Sequence, residues 1–229
     1  MLCGGTEACV TPLTIGGFTS MKALHEGDDP NRASIPFDSD RSWFVLGEGA
    51  GALVLEELNH ALNRGANILA ELTGYGANCD AYHITAPEPN GTMAASAIAD
   101  AINDAGLTAD DIHYINAHGT STSLNDKIET AAIKTALGRA AESVPVSSSK
   151  SMTGHLLGAA GAIESIICIK SIESGFVPPT INYRNPDPEC DLDVVPNTGR
   201  AAEVINSMTI SLGFGGHNAV LIFSQYGGK

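Results

Sequence analysis

Two short stretches hold the residues whose types and spacing could do chemistry: Asn116-Ala117-His118-Gly119-Thr120-Ser121-Thr122 and Lys150-Ser151-Met152-Thr153-Gly154-His155. Each sets an imidazole among small residues just beyond a short apolar run, at 112–115 and 144–146, of the kind that forms a buried strand. In α/β folds, strands deliver the polar groups at their ends into a common crevice. A neutral imidazole there can donate a hydrogen bond to a developing oxyanion or enolate without bringing a charge of its own. Taken alone, His118 is also compatible with a core histidine bonded to a backbone carbonyl, and His155 with an N-terminal capping or packing role. Two in the same setting, with small hydroxyl neighbours, point to a site. His155 is expected at the N-terminus of the apolar run that follows it, where a helix dipole keeps an imidazole neutral.

Lys150 lies among serines just after a strand, an unusual place for a solvated lysine. Its expected partner is Glu129, on the helix that follows the first histidine, with Asp126 three residues earlier. A buried pair would hold the histidines in geometry and fix their protonation, while a surface ion pair is the plainer alternative. Thr120 and Thr122 suit the wall of a narrow polar tunnel. Gly213-Phe214-Gly215-Gly216 reads as a turn between two strands in which Phe214, flanked by glycines, can swing like a gate. A metal site is disfavoured: no HxxxH or HExxH spacing occurs, and no third ligand accompanies the histidines. Gly47-Glu48-Gly49-Ala50-Gly51 imitates a dinucleotide fingerprint but precedes a strand, so no helix N-terminus awaits a pyrophosphate.

These motifs must be positioned by strands alternating with helices. Expected helices lie at 19–25, 57–64, 92–105, 124–137 and 156–173, and expected strands at 52–55, 68–76, 110–115, 144–147, 207–212 and 218–223. Several helices stop at a glycine (Gly65, Gly106, Gly138). The alternation implies an α/β fold with a mixed, mostly parallel sheet covered on both faces. The helix at 156–173, rich in glycine and alanine, is expected between layers. The 229 residues are 43% hydrophobic and 17% charged, as in a globular protein with a sizeable core. A net charge of −14 without a basic run argues against nucleic acid. No apolar run is long enough for a membrane span. Five scattered cysteines (Cys3, Cys9, Cys79, Cys168, Cys190) without a CxxC pair read as reduced thiols of a cytoplasmic protein.

With both histidine stretches in view, the chain resembles the elongating β-ketoacyl-acyl-carrier-protein synthases. The residues that carry the resemblance are Asn116–Thr122, Asp126 with Glu129, Lys150–Gly161, Pro178-Pro179-Thr180-Ile181-Asn182 and Gly213–Gly216, together with Pro36-Phe37-Asp38, Arg41 and Gly47–Gly51. The resemblance implies a thiolase-like fold, with stacked mixed sheets between helix layers. Residues 1–65 would be the tail of the N-terminal half and residues 66–229 the complete C-terminal half. It implies a decarboxylative Claisen condensation in which malonyl carrier loses carbon dioxide and the enolate attacks an acyl thioester on a cysteine. His118 and His155 match the enolate-stabilising pair, Lys150 with Glu129 the supporting ion pair, and Asp126 its neighbour. Thr120 and Thr122 match the phosphopantetheine tunnel, and Phe214 with Gly215 the gate. No cofactor of the enzyme's own is implied, since the substrate rides on the phosphopantetheine of an acyl carrier protein. That carrier is the expected partner, beside a homodimer or association with the N-terminal half.

Two departures accompany the match. Leu212 stands where the family usually has phenylalanine beside the gate. The family's nucleophilic cysteine lies upstream of Met1, and none of the five cysteines here has its setting, so the isolated chain is expected to be inactive in condensation. Rival readings are a non-catalytic partner subunit like a chain-length factor, a polyketide ketosynthase, and a metal- or thiol-dependent hydrolase.

Overall fold

Residues 1–227 are described by a computed structural model of the chain. The first elements are β1 (Leu2–Glu7), α1 (Pro12–Ser20), β2 (Gly49–Val54) and α2 (Leu58–Asn63). There follow β3 (Glu71–Cys79), α3 (Thr92–Asp104), β4 (Tyr114–Asn116), α4 (Ser123–Leu137) and β5 (Val146–Ser147). The chain closes with α5 (Lys150–Thr153), α6 (Ala160–Ser174), β6 (Phe176–Val177), β7 (Arg200–Ala201), β8 (Asn206–Gly213) and β9 (His217–Ser224).

Five strands form one sheet in the order β3-β9-β8-β4-β5. The steps β5–β4 and β4–β8 are parallel, whereas β8–β9 and β9–β3 are antiparallel. The sheet is thus mixed as expected but not mostly parallel. A turn as short as Phe214–Gly216 can only send the chain back antiparallel, and β3 then adds to β9 in the same sense. Side chains alternate across it: Ile115, Met208, Ile210 and Ile222 enter a core shared with α3 and α4, while Tyr114 and Phe223 enter a second core with Cys168 and Ile172 of α6. Helices therefore cover both faces. On α3 the buried residues are mostly alanine, and Gly76 of β3 lets it close in, since a Cβ at Gly76 would stand 2.0 Å from the Ala97 carbonyl oxygen.

α6 lies between that sheet and an antiparallel ribbon of β1 and β2, in register from Leu2 opposite Val54 to Glu7 opposite Gly49. This stacking matches the expectation for the glycine- and alanine-rich helix.

Two helix expectations are corrected. The helix expected at 19–25 runs from Pro12 to Ser20, because the Thr11 hydroxyl accepts the Thr14 N–H as an N-cap and Pro12 occupies the first turn. Leu24 instead pairs with Phe44. The long helix expected at 156–173 begins only at Ala160. His155 is drawn out of helical geometry because its N–H donates to the Val45 carbonyl at 2.7 Å and its own carbonyl accepts the Gly47 N–H at 2.9 Å. His155 is itself outside helical geometry, and a 3₁₀ turn at Leu157–Ala159 leads from it into α6.

Candidate active site

Strands β4 and β5 run parallel, Ile115 opposite Val146 and Asn116 opposite Ser147, so they end side by side and deliver both histidine stretches to one edge. The rings of His118 and His155 meet edge to face with centroids 5.2 Å apart, and both line a cavity of about 530 Å³. Behind His155 stands the ring of Phe44, again edge to face at 5.4 Å.

Both imidazoles are held neutral. Burial pushes the His118 pKa well below the usual range, helped by the positive charge of Lys150 and by His155. Burial and Lys150 bring His155 down to about 3. The Nδ1 of His155 accepts the Leu157 N–H at 3.2 Å, so the ring proton of the neutral tautomer resides on Nε2. Nδ1 of His118 is buried without a partner.

The backbone under His118 is clamped by Glu129 on α4. One carboxylate oxygen accepts the His118 N–H at 2.6 Å and the other the Gly119 N–H at 2.8 Å. Burial nevertheless pushes the Glu129 pKa up to about 7, against those two bonds, with the like charge of Asp126 adding to the rise. Gly119 has φ +40°, and a Cβ there would lie 2.5 Å from the Cβ of Ser148, so glycine alone fits between the two stretches. Ser121, with φ +67°, is a non-glycine residue in the left-handed region and accepts the Ile35 N–H on its hydroxyl.

Lys150 is almost fully buried, and its Nζ donates to Glu164 on α6. The expected pairing of Lys150 with Glu129 is therefore corrected. Glu129 spends both oxygens on backbone N–H groups, and the carboxylate that reaches Lys150 comes from α6, one turn inside its start. Glu164 was not foreseen. Its signal was an acid within the otherwise apolar run Ala160–Ile169, which a buried helix tolerates only when a cation pairs with it. Asp126 does not touch Lys150 either. It accepts the Phe37 N–H at 2.9 Å and lies 3.6 Å from Arg41, whose guanidinium also donates to Asp187 and to the Thr122 and Ser123 carbonyls. Asp126 and Arg41 thereby tie the segment before β2 to the start of α4.

Thr120 and Thr122 line the same cavity with hydroxyls 3.0 Å apart. Phe214 lines it from the β8–β9 turn, half exposed. Gly215, beside it, donates its N–H to the Ile84 carbonyl at 2.8 Å, and Asp80 donates its N–H to Gly216. Leu212 also borders the cavity. None of the five cysteines is among the residues that line it, and among the described residues no three histidine, cysteine or acidic side chains are grouped to hold a metal. No helix of the described residues is long and apolar enough to cross a membrane.

The family profile described as "Beta-ketoacyl synthase, C-terminal domain" matches residues 69–184, half of the chain. The chain belongs to the β-ketoacyl synthase family. A second profile, the N-terminal domain of β-ketoacyl synthases, matches residues 1–61. Among curated proteins, the 3-oxoacyl-[acyl-carrier-protein] synthase 2 of Synechocystis sp. is 57% identical over 227 residues, 99% of this chain and 55% of that protein. This β-ketoacyl synthase chain thus spans about half the length of such relatives. The fold is thiolase-like, as in two solved ketosynthases. One is a type II PKS acyl-carrier protein in complex with its ketosynthase bound to the hexaketide, with a TM-score of 0.95 and 44% identity over 98% of this chain and 56% of that one. The other, a β-ketoacyl synthase from Burkholderia phymatum, has a TM-score of 0.92 and 40% identity over 98% and 54% of the two chains.

Proposed function

We propose that this chain carries the decarboxylation and oxyanion machinery of a β-ketoacyl-acyl-carrier-protein synthase that elongates fatty acids. The observation that carries the reading is the pair of neutral histidines, 5.2 Å apart at one cavity. Decarboxylation breaks the bond between the malonyl carboxylate and its methylene, carbon dioxide leaves, and the electron pair passes to the thioester oxygen as an enolate. Two imidazole donors aimed at that oxygen stabilise the negative charge as it develops, and their depressed pKa values keep them from being protonated first. Lys150, tied to Glu164, contributes the fixed charge that lowers both. Thr120 and Thr122 suit the amide-bearing arm of phosphopantetheine, and Phe214 in its glycine turn suits a gate. The substrate carrier would be an acyl carrier protein, and no resident cofactor enters the chemistry.

The condensation also needs a thiol that accepts the acyl group. No cysteine of the described residues borders the cavity, so that thiol would come from a polypeptide supplying the other part of the family's length, or a second subunit. In this reading residues 1–65 belong with that part and residues 66–229 form the half that bears the histidines. Release of carbon dioxide from malonyl-pantetheine tests the proposal. The chain should release it, and His118→Ala and His155→Ala should each lower the rate about 10²–10³-fold, the usual cost of an oxyanion donor. Release at an unchanged rate in both variants would contradict it.

A further inference from the structure

Resting on the decarboxylation reading of the histidine pair, we propose that Ser148 is a positioning residue that aims His118 by holding the Gly119 peptide against the second histidine stretch. The two rings are held differently. Nδ1 of His155 accepts the Leu157 N–H, whereas Nδ1 of His118 is buried without a partner among the described residues. A ring with no hydrogen bond at that nitrogen takes its direction from the backbone that carries it. That backbone is pinned from two sides. Glu129 accepts the N–H groups of His118 and Gly119, and the Gly119 carbonyl accepts the fully buried Ser148 hydroxyl at 2.7 Å.

Ser148 can serve as an anchor because its own place is fixed. Its N–H donates to the Thr180 hydroxyl at 3.0 Å, and its carbonyl accepts the Ser151 hydroxyl at 2.8 Å. Ser151 in turn accepts the Ile181 N–H at 3.0 Å. Thr180 is fully buried and held through its own backbone, its N–H donating to the Val195 carbonyl at 2.9 Å and its carbonyl accepting the Asn197 N–H at 2.8 Å. The segment 178–182 thus seats Ser148, and Ser148 fixes Gly119. The fit leaves no slack, since a Cβ at Gly119 would lie 2.5 Å from the Ser148 Cβ, and a shift of the serine moves the backbone of His118. Removing the hydroxyl leaves the buried Gly119 carbonyl without this donor, and a misplacement of about 1 Å at a reacting group costs up to about 10²-fold in rate.

The test measures carbon dioxide release from malonyl-pantetheine after S148A is introduced into the parent, H118A and H155A. It should lower release at least about tenfold in the parent and in H155A, but less than about twofold in H118A, where no ring is left to misaim. In nitrogen-15 NMR spectra the His118 ring signals should shift or broaden in S148A while those of His155 stay in place. A serine with a merely structural role would lower release by the same factor with and without His118. That result, or His118 ring signals that do not move, would overturn the proposal. T180V removes the hydroxyl that receives the Ser148 N–H and should show the same pattern in smaller measure, which decides the question where S148A fails to fold. No carbon dioxide release from the parent would overturn the decarboxylation reading, and the ring signals would then decide the role of Ser148 alone.

Discussion

At the residue scale, the chemistry of the site rests on keeping two imidazoles neutral inside the protein. His155 illustrates the cost. Its pKa is about 3 in the fold against 6.5 for an ordinary imidazole, so the unfolded chain takes up the proton first. The stabilisation it gives is fully present above pH 6.5 and is lost as pH falls from there towards 3. Relative to H155Q, whose side chain does not titrate, the parent should lose about 2 kcal/mol of unfolding free energy between about pH 7.5 and about pH 5. Urea denaturation of both proteins at the two pH values checks this, and an equal loss in both would contradict it. That the two histidines meet at one cavity was legible in the sequence, because each follows a short apolar run that reads as a buried strand. Burial as the main cause of the depressed pKa was not legible, since it depends on groups such as Phe44 that arrive from other parts of the chain.

Element by element, the site is a meeting of β4, β5, α4 and α6, and the ties between them are charged. Glu129 fastens α4 to the His118 backbone, and Glu164 fastens α6 to Lys150. Because removing one member of a buried pair strands the other, K150M and E164Q should each destabilise by about 3–5 kcal/mol. The double variant should cost much less than their sum. The coupling between K150M and E129Q should be smaller, because the Glu129 oxygens are committed to two N–H groups. Chemical denaturation of the three single and two double variants checks this; stronger coupling of Lys150 to Glu129 than to Glu164 would contradict it. The pairing was misread from sequence because Glu129 stands on the helix that follows the first histidine, whereas Glu164, although nearer to Lys150 in the chain, lies in a helix that reads as apolar. Element types were mostly legible from apolar periodicity and terminal glycines. Boundaries failed where tertiary pairing won, as when His155 left its helix to bond Val45 and Gly47.

For the whole molecule, the α/β class and the layering around α6 followed from the alternation of strands with helices and from a helix too rich in small residues to face water. The parallel sense was overestimated, since a hairpin through Phe214–Gly216 reverses the chain and pattern alone does not report strand direction. The cavity that unites these layers is lined by two histidines and by apolar side chains, with no thiol of the described residues on its surface. Decarboxylation and condensation should therefore separate in this chain. The most direct measurement supplies it with malonyl-pantetheine and octanoyl-pantetheine together and quantifies carbon dioxide and 3-oxoacyl product in the same reaction. The account predicts carbon dioxide release that depends on His118 and His155, with no 3-oxoacyl product. Sustained formation of the 3-oxoacyl product by this chain alone would contradict it.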